Sequence, residues 1–131
     1  MILVDSSIWI AYFNGRQTAK TDWLDAALGT EPLIIGDLIL TEVLQGFRKD
    51  TDFNTARQLL ESFPIYDMIG REVALKSAMN YRSLRRHGVT VRKTIDVLIG
   101  TFCIMNNVSL LHDDCDFDLM EKHLKLRSIK P

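Results

Sequence analysis

Only two cysteines, Cys103 and Cys115, occur in the 131 residues, and they form no Cys-x-x-Cys pair. The chain therefore suggests no disulfide framework, and a reducing compartment fits it. Long apolar runs are also missing, since the longest, Ile95 to Met105, is too short to span a bilayer and contains Asp96. Strand-like residues begin at Met1 with no basic leader or cleavage site, so a cytoplasmic protein is expected. No G-x-G-x-x-G follows any strand-like run, which weighs against a nucleotide-binding Rossmann domain. Repeats, low-complexity tracts and linkers are absent too. With 47% hydrophobic residues, residues 1–131 are expected to form a single domain with its own core.

Charge of one sign is locally missing. From Val73 to Ile95 there is no Asp or Glu, while Lys76, Arg82, Arg85, Arg86, Arg92 and Lys93 all fall there. The formal net charge of -1 hides this basic segment, and the acids lie elsewhere.

Short apolar runs alternate with longer helical periods. "MILVD", "PLIIG", "FPIYD" and "VSLLH" read as strands. Helices are expected from Ser6 or Ser7 through "IWIAYF", over Thr21 to Leu28, from Leu38 to about Lys49 behind an Asp37 cap, and from Asp50 or Asp52 to Leu60. Further helices run from about Arg71 to Arg86, stopping at Gly88, and from Thr94 through "IDVLIGTFCIMNN". The tail suggests a short helix and a last strand. Strands alternating with helices imply a parallel sheet covered on both faces. In such sheets ligands bind beyond the carboxyl ends of the strands.

Acids collect at those ends. "LLHDDCDF" places three carboxylates within four residues directly after a strand. At about 4 Å each like-charged pair costs roughly 4 kcal/mol near a protein surface, so something positive must offset them or they must splay into water. Asp5 ends the first strand, where a helix-capping or turn aspartate is the plain alternative. Glu42 lies in the helix containing "LILTEVLQGF", where a solvated helix glutamate is the plain alternative. Asp96 is more informative, because Ile95, Val97, Leu98 and Ile99 leave little of its helix facing water. A first-turn acid is favoured by the helix dipole, which explains its sign but not its burial. Several buried carboxylates stay ionised together when a divalent cation holds them. Oxygen ligands without a Cys/His set favour Mg²⁺ or Mn²⁺ over zinc.

The segments "VDSSIWI", "TEVLQGFR", "RKTIDVLIGTFC" and "LLHDDCDFDLM" resemble, in order and over nearly the whole chain, the PIN-domain ribonucleases, especially VapC toxins of bacterial toxin–antitoxin pairs. The resemblance implies a three-layer α/β/α fold with about five parallel strands. It implies catalytic, metal-binding roles for Asp5, Glu42, Asp96 and Asp114, with Asp116 the further acid of a D-x-D-F segment. Ser7 matches a hydroxyl that supports the cluster, and Thr94, opening the Asp96 helix, is grouped with it. Arg92 and Lys93 are candidates for RNA-phosphate contacts, whereas Arg82, Arg85 and Arg86 read better as a solvated helix face.

What the resemblance implies is endonucleolytic RNA cleavage, with 5′-phosphate and 3′-hydroxyl products, by water activated on Mg²⁺ or Mn²⁺. It also implies silencing by a VapB-like antitoxin and homodimerisation. The apolar face of Leu38 to Leu60 is the candidate antitoxin groove. His112 reads as a structural strand-end histidine, His87 as a surface residue, and Trp9 and Trp23 as core or interface. Two rival readings are a catalytically silent protein-binding module and a phosphatase or phosphoacceptor domain. The second would need a D-x-D after the first strand and a lysine after a late one, and neither is present.

Overall fold

The computed structural model describes residues 1–131 and builds one sheet of four parallel strands among seven helices. The order along the chain is β1 (Ile2–Val4), α1 (Ser6–Phe13), α2 (Ala19–Ala27), β2 (Leu33–Gly36), α3 (Asp37–Leu44), α4 (Asp50–Glu61), β3 (Ile65–Tyr66), α5 (Gly70–Arg86), α6 (Thr94–Met105), β4 (Ser109–Leu111) and α7 (Cys115–Leu124). In space the strands run β3-β2-β1-β4. Both β1 and β2 are buried along their whole length, as expected of short apolar runs covered on two faces.

Two steps in one direction, β1 to β2 to β3, are followed by a long return that lays β4 against the free edge of β1. Right-handed crossovers then place the first four helices on one face and α5 and α6 on the other. Their packing agrees, with α1 against α2 and α3, α3 against α4, and α6 against α5 and α7. The direction in which strands are added reverses between β1 and β4, and there a crevice opens beyond the strand ends. Register makes it narrow: Val4 is level with Leu111, and the Asp5 N–H donates to the Leu111 carbonyl at 2.9 Å.

Several local expectations change. Asp5, rather than Ser6 or Ser7, is the N-cap of α1. Gly36 is the N-cap of α3, and Asp37 sits inside the helix, its Oδ1 accepting the Leu38 and Met68 N–H groups at 2.8 and 3.2 Å. That helix stops at Leu44, well before Lys49, because the chain leaves helical geometry around Gly46 and restarts at Asp50. The fifth strand is reduced to a bridge between Ser128 and Leu110, flanked by a bond from the Leu110 N–H to the Arg127 carbonyl and one from the Ile129 N–H to the Leu110 carbonyl, each 2.9 Å. Its partner strand is only three residues long, and Lys125 turns left-handed (φ 65°) just before it, so pairing cannot extend.

The distance between α6 and α7 is set by Gly100. A Cβ there would lie 2.5 Å from Met120 Sδ, and Met120 is fully buried. Gly100→Val should therefore lower stability by about 1–3 kcal/mol through overpacking. The expected readout is a lower urea midpoint with an unchanged m-value; an unchanged midpoint would show that the two helices can part freely.

Candidate metal centre

Four elements deliver carboxylates to the crevice. Asp5 is 6% exposed, and its Oδ2 accepts the Ser7 hydroxyl at 2.7 Å and the Ser7 N–H at 3.4 Å. Asp114 is the N-cap of α7, its Oδ1 accepting the Asp116 N–H at 2.9 Å, and Asp116 in the first turn is itself buried. Asp96 reaches the site from the first turn of α6, also 6% exposed. Glu42, half-buried, comes from the second turn of α3.

Burial and mutual charge dominate the electrostatics. Desolvation pushes the Asp96 carboxyl up to about 7, and the charges of Asp114, Asp5 and Asp116 add to it against the pull of Lys93. Asp5 is raised by burial and by Asp114, opposed by its hydrogen bonds to Ser7 and Ser6. Glu42 is raised by burial and by Asp5, opposed by the Ser6 hydroxyl and Lys93. Asp5 is thus the shared neighbour of the set.

Three buried side-chain polar atoms lack a hydrogen-bond partner, and two of them are Glu42 Oε1 and Asp96 Oδ2. Buried oxygens are normally satisfied, so orphaned carboxylate oxygens in an acidic crevice have the character of ligand atoms. The donor set is hard oxygen and fits a divalent cation of the Mg²⁺ or Mn²⁺ kind. Just after β4, Asp114, Cys115 and Asp116 have ligand atoms that all lie within 4.8 Å of one another. Asp5, Glu42 and Asp96 are coupled to one another and, through Asp114, to that segment by charge.

The remaining candidates distribute unevenly. Lys93, the N-cap residue of α6, is exposed yet close enough to favour ionisation of both Glu42 and Asp96. Arg92 is exposed beside it. Thr94 instead lines an apolar cavity of about 360 Å³ between α5 and α6, as does Arg82. Arg85 lies over the Tyr81 ring at 5.8 Å, and Arg86 is solvated. Trp9 is fully buried against Phe13, and Trp23 packs on the core. Sequence reasoning missed Lys20, whose Nζ pairs with Asp113 at 3.0 Å across 93 residues. It also missed the side chains bonded to His112, which are nine and sixteen residues away in sequence.

The raised carboxyl of Asp96 has a consequence for stability. Its proton is held more tightly in the folded state, about 7, than at its ordinary value of 3.8, so the folded protein carries the extra proton between these limits. The stability that Asp96 contributes is full below its ordinary value of 3.8 and is lost as pH rises through about 7. In chelator, the melting temperature should be higher at about pH 5 than at about pH 8, and Asp96→Asn should flatten the difference. Scanning calorimetry across that range checks it; equal slopes in both proteins would remove Asp96 as the source.

The PIN domain family model matches residues 2–122 of the chain. Among characterised proteins, the chain is 29% identical over 130 residues to VapC ribonuclease Mb1587 of Mycobacterium bovis and to ribonuclease VapC11 of Mycobacterium tuberculosis, covering 98% of this chain and 97% of each relative. Its fold is similar to VapBC2 from Rickettsia felis bound to a DNA fragment from their promoter, with TM-score 0.76, 16% identity and 98% of both chains covered. It is also similar to VapBC-1 from nontypeable Haemophilus influenzae, with TM-score 0.74 and 15% identity over 99% of this chain and 98% of that one. FitAcB from Neisseria gonorrhoeae gives 0.73 and 16% over 100% and 98%. With four acid-bearing segments converging at the β1–β4 switch point and the family model spanning all of them, the chain belongs to the PIN domain family.

Proposed function

We propose that this protein is the toxin of a VapBC-type toxin–antitoxin pair, a divalent-metal-dependent endoribonuclease. The observation that carries the reading is the pair of orphaned buried oxygens, Glu42 Oε1 and Asp96 Oδ2, within a PIN-family acidic site. Similarity to proteins named VapC ribonucleases over nearly the full length supports the substrate class.

Asp5, Glu42, Asp96, Asp114 and Asp116 would hold the metal. When bound there, Mg²⁺ or Mn²⁺ would supply charge neutralisation at the phosphoryl oxygens and activation of water for attack on phosphorus. The chain's own side chains do the rest. Ser7 fixes the Asp5 carboxylate through two hydrogen bonds, so its remaining lone pairs are aimed rather than free to rotate. Asp114 is held as a helix cap, which keeps its second oxygen available. Lys93 and Arg92 offer phosphate contacts at the mouth, offsetting the repulsion that a carboxylate cluster exerts on RNA. No nucleophilic side chain is needed.

The toxin reading includes a protein partner. The similar folds from Rickettsia felis and Haemophilus influenzae are VapBC complexes, and they support a VapB-like antitoxin here. Half-buried Leu38, Leu40, Leu44 and Phe47, along and just beyond α3, are the apolar side chains it would cover. Homodimerisation belongs to the same reading.

Purified protein, free of antitoxin, should cut total RNA with Mg²⁺ or Mn²⁺ and leave 5′-phosphate ends, while EDTA stops the reaction. Asp96→Asn, prepared identically, should lose more than about 100-fold of the activity while staying folded. Phosphate-monoester turnover without RNA cleavage would favour a phosphatase; no turnover by folded protein would favour a silent binding module. Lys93→Gln should weaken RNA binding similarly for all sequences and reduce the salt slope by about 1, measured by filter binding at several salt concentrations. An unchanged slope would take Lys93 out of the RNA path.

A further inference from the structure

Behind the acidic loop lies a second polar cluster that the proposed chemistry does not use. His112, only 4% exposed, continues from β4 and packs its ring 5.0 Å from that of Phe117. Its Nδ1 accepts the backbone N–H of Asp114 at 3.2 Å. On the far side of the ring, Nε2 lies 3.0 Å from Glu121 Oε2 and 3.0 Å from Ser128 Oγ. An imidazole nitrogen that accepts an N–H carries a lone pair, so the proton of the neutral ring sits on Nε2, facing the carboxylate. Glu121 is anchored in turn by Lys130 Nζ at 2.8 Å. Burial would raise Glu121, but the hydrogen bonds from Lys130, His112 and Ser128 outweigh it and hold the carboxyl below its usual range.

His112, Asp118 and Glu121 also have ligand atoms within 4.8 Å of one another, so a metal site is the competing reading. The hydrogen bonds argue against it. Ligation through Nε2 would move the ring proton to Nδ1, where it would meet the Asp114 N–H head-on. Lys130 already supplies the positive charge at Glu121. The cluster is therefore built to hold a tautomer rather than an ion.

We propose that His112 is a positioning residue for the acidic centre: anchored by Glu121 and Ser128 as its Nε2–H tautomer, it grips the Asp114 amide through Nδ1 and fixes the Asp114–Asp116 turn. Asp114 then accepts the Asp116 N–H, so one hydrogen-bonded chain runs from the tail to two acids of the site. The vestigial fifth strand acquires a purpose, since its bridge to Leu110 is what carries Ser128 to the ring. This inference rests on the metal-binding reading above.

Mn²⁺ titration of chelator-stripped full-length protein, followed by calorimetry and by the EPR signal of free Mn²⁺, tests it without relying on catalysis. His112→Phe should weaken Mn²⁺ binding about 10–100-fold, the range typical of lost outer-shell partners. His112→Asn, which can still offer an oxygen to the Asp114 N–H, should recover most of the affinity. Nitrogen-15 NMR of the metal-free wild type should show an unprotonated Nδ1 and a protonated Nε2. Glu121→Met keeps a similar side-chain volume but removes the oxygen that accepts the Nε2–H, and it should weaken Mn²⁺ about tenfold, which gives a reading if His112→Phe does not fold.

Wild-type affinity in folded His112→Phe, or in folded Glu121→Met, would overturn the inference while leaving the metal reading intact. A proton on Nδ1, or one driven there by added Zn²⁺, would overturn it in favour of a metal site. A wild-type protein that binds no Mn²⁺ would overturn the metal reading and this inference with it.

Discussion

Repulsion among buried carboxylates is the constraint that organises this molecule. Asp5, Asp96 and Asp116 are nearly inaccessible to water, and Asp114 bears on both Asp5 and Asp96. Like charges in such a site repel, by roughly 4 kcal/mol per pair at about 4 Å and an effective dielectric near 20, so the scaffold must resist a force that would spread the strand ends apart. The resistance is hydrophobic. Leu3, Val4, Leu110 and Leu111 pair across β1 and β4 immediately below the acids and are wholly buried. Each such side chain contributes about 1.5–3 kcal/mol, enough together to hold the two strand ends in register against the charge above them.

Within the cluster the acids fall into two kinds. Asp5 and Asp114 cap α1 and α7, so backbone N–H groups and two helix N-termini stabilise their charge. Glu42 and Asp96 cap nothing, and each keeps a buried oxygen without a partner. The first pair is held in place by backbone N–H groups, although burial still raises Asp5; the second has no such anchor and is costly unless something positive arrives. Capping and function are thus compatible uses of one side chain. Asp5 anchors a helix with one oxygen, Oδ2, which also takes the Ser7 hydroxyl, and leaves the other to the crevice.

What was legible in the sequence followed from locality. The strands at Met1, Pro32 and Val108 announced themselves as apolar runs, and the burial of Asp96 could be inferred from Ile95, Val97, Leu98 and Ile99 on the same helix. Helix ends were harder to place. The Ser6–Ser7 pair looked like a cap because serine often is one, but here Ser7 donates to the aspartate that does the capping. The break after Leu44 depended on how Gln45 to Lys49 leave helical geometry, a choice that propensity alone leaves open. Contacts between distant segments left no local trace. Nothing near Asp113 points to Lys20, and nothing near His112 points to Ser128, because only the folded sheet brings them together.

The same distinction separates the two groups of cations. Those on α5 share a segment with Arg92 and Lys93 in sequence, and a uniform basic face would be a natural reading. The fold divides them instead: Arg82 lines the apolar cavity against α6, and Arg85 lies over Tyr81. Lys93, at the N-terminus of α6, opposes the carboxylates of Glu42 and Asp96 while its side chain remains exposed to solvent. A lysine so placed has little to gain from a fixed ion pair in water, where such pairs contribute about 0–1 kcal/mol. It is free to exchange carboxylate for phosphate once the acids are neutralised by a cation. On the proposed function, occupancy of the metal site and attraction of the RNA backbone are therefore coupled: filling the crevice with positive charge both removes the repulsion and releases the lysine that greets the substrate.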